Sequence, residues 1–190
     1  MIVVGVIGVP GTGKSTLLKR WMQTRNWVYE KPIKLLDSHF DGDGIRVLGK
    51  YEPGELFCGT DKMSMAVQPM ATQYLYNNND RAVIFEGDRL TSVKFFQAAI
   101  EAGHELHIIE LTTSHAERES RYEKRGSNQS ESFIKGRATK ISNIHSKFRV
   151  DKFDHTYHHQ TDLIAQHIER IISPSRHSNN DVNYQCHRSI

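Results

Sequence analysis

The sequence has little cysteine: Cys58 and Cys186 are its two, far apart and without a metal-ligating neighbour. That pair fits a reducing compartment and argues against a disulfide framework or a thiolate metal site. No stretch approaches the ~18 apolar residues needed to cross a bilayer. The apolar start, residues 1–9, lacks a basic leader and runs straight into a glycine loop, so no signal peptide is expected. Internal repeats are absent, as are the Asn-Lys-x-Asp signature of guanine-specific switches and any recognisable nucleic-acid-binding module. No bias toward fibrous or disordered composition is present either. With 37% apolar residues in 190, the chain can bury one core, and its expected setting is cytoplasmic.

What is present is alternation. Continuous apolar, β-branched runs predict strands over 2–7, 33–36, 82–85, 106–111 and 153–158, and 45–51 reads as another strand or half of a hairpin. Between them, helical periodicity falls over 15–25, 64–76, 91–102, 114–125, 133–148 and 162–172, with Pro69 expected to kink the second helix or begin a new one. Strands alternating with helices imply a three-layer α/β sandwich around a parallel sheet. Residues 1–172 then form one domain, with an acceptor-binding insertion at about 38–78 and a lid at about 114–149. The stretch 173–190 is a polar tail, expected to be flexible. In such sheets ligands bind beyond the carboxyl ends of the strands. The glycine loop, Asp37, Glu86 to Arg89 and Thr112 would all gather at that edge.

The strongest motif is Gly8-Val-Pro-Gly11-Thr12-Gly13-Lys14-Ser15, followed by Thr16, which fits the phosphate-loop pattern G-x-x-x-x-G-K-[ST] between a strand and a helix. Its glycines let backbone N–H groups turn inward around a phosphate, and the helix that starts at Lys14 adds the positive end of its dipole. Lys14 is then expected on the β- and γ-phosphates of ATP, and Ser15 on Mg²⁺.

On these residues the chain resembles the P-loop kinases, the superfamily of adenylate, gluconate and polynucleotide kinases. The resemblance implies a nucleoside-monophosphate-kinase-like strand order. A second segment, Val83 to Thr91, is similar to the L-D-G-F-P-R-T turn of adenylate kinases, with Glu in place of Asp and one residue fewer before the arginine. It implies support of Mg²⁺ by Glu86 and a substrate contact by Arg89. A third, Arg118-x-x-Arg121-x-x-x-Arg125, puts three arginines on one helical face. It resembles the lid of nucleotide kinases, with Arg118 on ATP and Arg121 and Arg125 on the transferring phosphoryl group. The alternative is a solvated helix in which Glu117, Glu119 and Glu123 pair with these arginines.

On the acceptor side, polynucleotide-kinase-like enzymes imply an aspartate that takes the acceptor's proton. Asp37 is the first choice, with Asp41, Asp43 and Asp61 as rivals. Asp61 also opens a helix within Gly59-Thr-Asp-Lys-Met, and is expected to touch the acceptor. The segments 48–51 and 57–65 resemble small kinases of DNA bacteriophages that phosphorylate 5-hydroxymethyluracil in DNA, which would place the chain in a host cytoplasm. The basic residues from Arg118 to Arg149 suit a nucleic-acid backbone or nucleotide phosphates, or a solvated surface. Asp41-Gly-Asp43 is read as a turn, since the calcium-loop glycine is replaced by Arg46. His155, His158 and His159 are read as surface residues. An ATP-dependent kinase with a nucleotide or DNA acceptor is therefore expected. A free-nucleoside or small-metabolite kinase is the alternative, and a P-loop ATPase switch comes third.

Overall fold

A computed structural model describes residues 1–52, 54–55, 58–124, 126, 129–157 and 159–173. Arg125, Phe57, His158 and the tail expected beyond 173 lie outside them. The strands are β1 (Ile2–Ile7), β2 (Val28–Ile33), β3 (Leu36–Phe40), β4 (Ile45–Leu48), β5 (Ala82–Glu86), β6 (Glu105–Thr112) and β7 (Asp151–Asp154). The helices are α1 (Lys14–Met22), α2 (Val67–Asn77), α3 (Val93–Glu101), α4 (His115–Lys124), α5 (Glu131–His145) and α6 (His159–Ile172). They form a seven-stranded sheet in the order β2-β3-β4-β5-β1-β6-β7. The five strands from β4 to β7 are parallel, with the first at the centre, in the expected nucleoside-monophosphate-kinase-like order.

Helices cover both faces of the sheet. Leu17, Leu18 and Trp21 of α1 and Ile164, Ile168 and Ile172 of α6 pack with Val4, Val6, Ile84 and Ile109 on one side. On the other, α2, α3 and α5 bring Val67, Leu75, Phe95, Phe96 and Ile144 against Val3, Val83 and Phe85. Each large side chain taken fully out of water contributes about 1.5–3 kcal/mol, so these two layers hold the strand ends where the chemistry needs them. Pro69 sits in the first turn of α2, where no intrahelical N–H bond is lost, so it breaks nothing.

The parallel sheet expected from the sequence is incomplete on one side. β2 and β3 form an antiparallel hairpin, and β3 runs antiparallel to β4. The run at 33–36 is not a strand but contains the hairpin's tight turn: Ile33 pairs with Leu36, and Lys34 and Leu35 turn between them. β2 escapes the sequence pattern because both its faces are largely exposed and Pro32 interrupts it. An edge strand held by backbone pairing needs no apolar alternation and tolerates a proline. Asp37 consequently stands near the start of β3, not beyond the end of a strand.

Leu35 carries the one positive φ, 67°, found at a non-glycine position among the described residues. The left-handed region costs a branched side chain about 1–2 kcal/mol, whereas asparagine tolerates it. Leu35 is 38% exposed, so little packing is lost on replacing it. Leu35→Asn should therefore stabilise the fold by about 0.5–1 kcal/mol, read as a higher midpoint in chemical denaturation.

Candidate active site

β1 and β5 are neighbours in parallel register, with Val6 opposite Glu86, so the phosphate loop and the end of β5 meet at one edge of the sheet. Gly8, Gly11 and Gly13 all have positive φ, which turns the loop back on itself. α1 begins at Lys14 with Gly13 as its cap, no capping side chain and no acid in its first turn. α3 and α5, in contrast, are capped by Ser92 and Ser130. The first N–H groups of α1 thus meet neither a capping side chain nor an acidic neighbour, the arrangement of a helix start that can receive an anion. Lys14 Nζ donates to the carbonyls of Gly8 and Val9 at 2.9 and 3.2 Å, holding the ammonium over the loop.

The Ser15 hydroxyl donates to Glu86 Oε1 at 2.9 Å. Glu86 is 1% exposed, so this hydroxyl and carboxylate converge on a buried point beside the loop. Hard oxygen donors in this pairing fit Mg²⁺, which typically takes one or two protein oxygens and completes its shell with phosphate and water. No group of three or more His, Cys, Asp or Glu that could hold a metal ion occurs among the described residues.

Behind the loop stand residues that the sequence reading placed elsewhere or did not single out. His155, expected at the surface, is 3% exposed. Its Nδ1 lies 2.9 Å from the Thr12 carbonyl and its Nε2 2.8 Å from Thr161 Oγ1. A carbonyl only accepts, so Nδ1 carries the hydrogen. The correction has a simple reason: three nearby histidines in a polar stretch give no hint that β7 ends beneath a loop from residue 12. Tyr122 likewise donates from its hydroxyl to the Pro10 carbonyl at 2.7 Å. Arg121 donates to the carbonyls of Gly11 and His155 at 3.0 and 2.9 Å and to Glu117 at 2.8 Å, so it braces the loop. Arg118 lays its stem against Gly11, and its Nε is buried without a hydrogen-bond partner among the described residues. Thr12 is buried, with its hydroxyl on the Val9 carbonyl, while Thr16 is exposed.

The loop faces a cavity of about 330 Å³, lined among others by Lys14, Ser15, Cys58, Asp61, Glu86, Asp88, Arg89, Phe133, Arg137 and Lys140. Asp61 enters from a short 3-10 turn, Thr60–Lys62, and its Oδ1 accepts from the Asp88 N–H at 2.6 Å. Arg89 stands on the same wall. Asp37 does not line this cavity. Its carboxylate accepts from the Tyr29 hydroxyl and lies 3.4 Å from Lys31 Nζ and 3.9 Å from Lys50 Nζ. That hydrogen bond to Asp37 raises the Tyr29 pKa, and the Asp37 charge raises that of Lys31. Burial pushes the Tyr51 phenol well above its ordinary value, reinforced by the charge of Glu86. Asp41 accepts from the N–H groups of Asp43 and Ile45, a turn as expected.

With the loop, the Ser15–Glu86 pair and the sheet order in place, the fold and site define a P-loop kinase. Residues 2–173 match the model of the family described as P-loop Nucleotide Kinase3, and the chain belongs to that family. Among solved structures it is similar to a gluconokinase from Sinorhizobium meliloti 1021, with TM-score 0.52 and 13% identity over 91% of this chain and 92% of that one. It is also similar to a sugar kinase from Janibacter sp. HTCC2649, with TM-score 0.51 and 12% identity over 90% and 95% of the two chains. At such identities the likeness speaks for the fold. No curated protein sequence gives a significant match.

Gly59 ties the loop at 58–61 to this centre. Its backbone, φ 75° and ψ −152°, is one that glycine alone adopts readily. A Cβ there would stand 2.2 Å from Glu86 Oε1. Gly59→Ala should displace that carboxylate, so the gain in ATP-analogue affinity on adding Mg²⁺ should shrink at least ~10-fold while metal-free affinity changes less. Calorimetric titration with and without Mg²⁺ checks this, and an unchanged ratio would remove Glu86 from the cation site.

Proposed function

We propose that the chain transfers the terminal phosphoryl group of ATP to a hydroxyl of a small acceptor, a nucleotide or sugar-like metabolite. The supporting observation is that one cavity collects the phosphate loop, the Ser15–Glu86 pair and the carboxylate of Asp61. In this reading Lys14 and the loop N–H groups hold the β- and γ-phosphates, and Arg118 reaches the same anion from α4. Mg²⁺, held through Ser15 and Glu86, supplies charge neutralisation of the phosphates. The acceptor oxygen forms a bond to the γ-phosphorus while the bond to the β,γ-bridging oxygen breaks and ADP leaves. The hydroxyl proton goes to Asp61, whose Oδ1 is fixed by the Asp88 N–H.

Asp61 replaces Asp37 as the base in this proposal, because Asp37 is occupied by Tyr29, Lys31 and Lys50 and lies off the cavity. Arg121 contributes by fixing the loop. A role for it on the transferring group would require release of its carbonyl bonds.

A hydroxyl within DNA, such as the hydroxymethyl group of 5-hydroxymethyluracil in phage DNA, is the second reading. It draws on the loop at 58–61, which lines the acceptor side of the cavity. The basic run weighs less than its sequence implied. Arg121, Lys135, Arg137, Lys140 and Arg149 each face a carboxylate of the chain itself, at 2.7 to 3.8 Å.

Three variants test the proposal. Lys14→Ala should abolish transfer and leave the melting temperature near the wild-type value, since it removes charge from a loop and not from the core. Asp61→Asn should lower turnover ~10²-fold or more with little change in ATP-analogue affinity. Asp37→Asn should act mainly on stability, and the reverse pattern would reinstate Asp37 as the base. Labelled ATP offered with nucleosides, nucleotides, sugar acids, plain DNA and hydroxymethyluracil-containing DNA separates the two acceptor readings.

A further inference from the structure

The cavity wall built by α5 carries charge that phosphoryl transfer at the loop does not use. Arg137 and Lys140 lie one helical turn apart and both reach Asp88. Arg137 Nη2 stands 3.0 Å from Asp88 Oδ2. Lys140 Nζ stands 2.9 Å from Oδ1 and donates to the Asp88 carbonyl at 2.8 Å. One carboxylate thus faces two cations. Arg89 adds a third on the same wall, with a hydrogen bond to the Met63 carbonyl stretched to 3.5 Å and no ion pair among the described residues. The Arg137 guanidinium lies over the Phe133 ring, 4.4 Å from its centroid, and its Nε is buried without a hydrogen-bond partner among the described residues. Asp61 and Glu86 bring carboxylates to the same cavity, beside Lys14 and the phosphate loop, and Asp61 accepts from the Asp88 N–H, so the carboxylate proposed as base and the paired cations meet at one turn.

We propose that Arg137 and Lys140 form a receptor for an anionic group, a phosphate or carboxylate, carried by the acceptor, and that Asp88 is its built-in counter-ion. This rests on reading the cavity as the phosphoryl-transfer site. A guanidinium offers parallel N–H donors that match either anion, and the neighbouring ammonium adds a point charge. Asp88 fills the receptor until an acceptor's anion competes for the same donors. The acceptor is then a compound that carries an anion within reach of Arg137 and Lys140 and its reacting hydroxyl beside Asp61. A free nucleotide, a sugar acid and the backbone phosphate of a nucleic-acid strand share that chemistry.

The arrangement makes a prediction of opposite signs. With the phosphate loop saturated by a non-hydrolysable ATP analogue and Mg²⁺, inorganic sulfate is titrated as the anion probe. Binding is read as a rise in melting temperature relative to chloride at equal ionic strength. The wild-type chain should show a saturable rise, and the double variant Arg137→Gln, Lys140→Gln should lose it. Asp88→Asn, which keeps the shape but removes the competing charge, should shift half-saturation to ~10-fold lower sulfate. If Asp88 were merely a brace between α5 and the turn after β5, Asp88→Asn would weaken sulfate binding or leave it unaltered. That result, or a wild type with no saturable rise, overturns the receptor. Affinity for the ATP analogue, measured on the same samples, keeps the two ideas apart: a wild type that fails to bind it refutes the kinase-site reading, whereas analogue binding without a sulfate effect refutes the receptor alone. Displacement of sulfate by thymidine 5′-monophosphate, gluconate or a single-stranded oligonucleotide then identifies which source of the anion fits.

Discussion

The site depends on the pairing of β1 with β5. Because these strands are adjacent and parallel, with Val6 opposite Glu86, the chain's first crossing of the sheet ends beside its third parallel one. The phosphate loop leaves β1 and the acidic residue terminates β5, so two segments more than seventy residues apart share one hydrogen bond, Ser15 to Glu86. A carboxylate as buried as Glu86 is costly without partners. The serine hydroxyl meets part of that need. The loop at 58–61 packs onto the same carboxylate through Gly59 and is held to the sheet by a bridge between Lys50 and Gly59. The loop at 58–61 is thus positioned by the same pairing that places the phosphate loop.

The phosphate loop was legible in the sequence because its geometry is local. Gly8 to Ser15 state their conformation in a few consecutive residues, and 82–86 is an apolar run ending in one acid, the simplest form a buried central strand takes. What was not legible depends on partners distant in the chain. β2 is held by backbone bonds to β3 and leaves no apolar signature, so the hairpin was missed and Asp37 was set at a strand end it does not occupy. His155 looks like one of several polar histidines until β7 is seen to pair with β6 and deliver it beneath Thr12.

The basic stretch shows the same limit for electrostatics. A run of lysines and arginines reveals how much charge is present but not what faces it. In the folded chain Lys135 pairs with Glu131 on the exposed face of α5, whereas Arg137 and Lys140, two and five residues further on, turn inward to Asp88. Residues that read as one surface divide by helical phase into an outer set and a cavity wall. Helix α4 makes a comparable division: Tyr122 and Arg121 face the phosphate loop, and Lys124 faces water.

The β2–β3 hairpin has a meaning for how the molecule behaves among copies of itself. It converts the margin of a parallel core into an antiparallel border whose last strand carries Glu30, Lys31 and Pro32, with its pairing to β3 shifting between Glu30 and Ile33. A proline removes a donor, a break in register bends the strand, and a lysine must be desolvated before a neighbour can dock. Val28 and Tyr29 nonetheless stand largely in water on that strand. The border can therefore expose apolar side chains while opposing extension of the sheet by another chain.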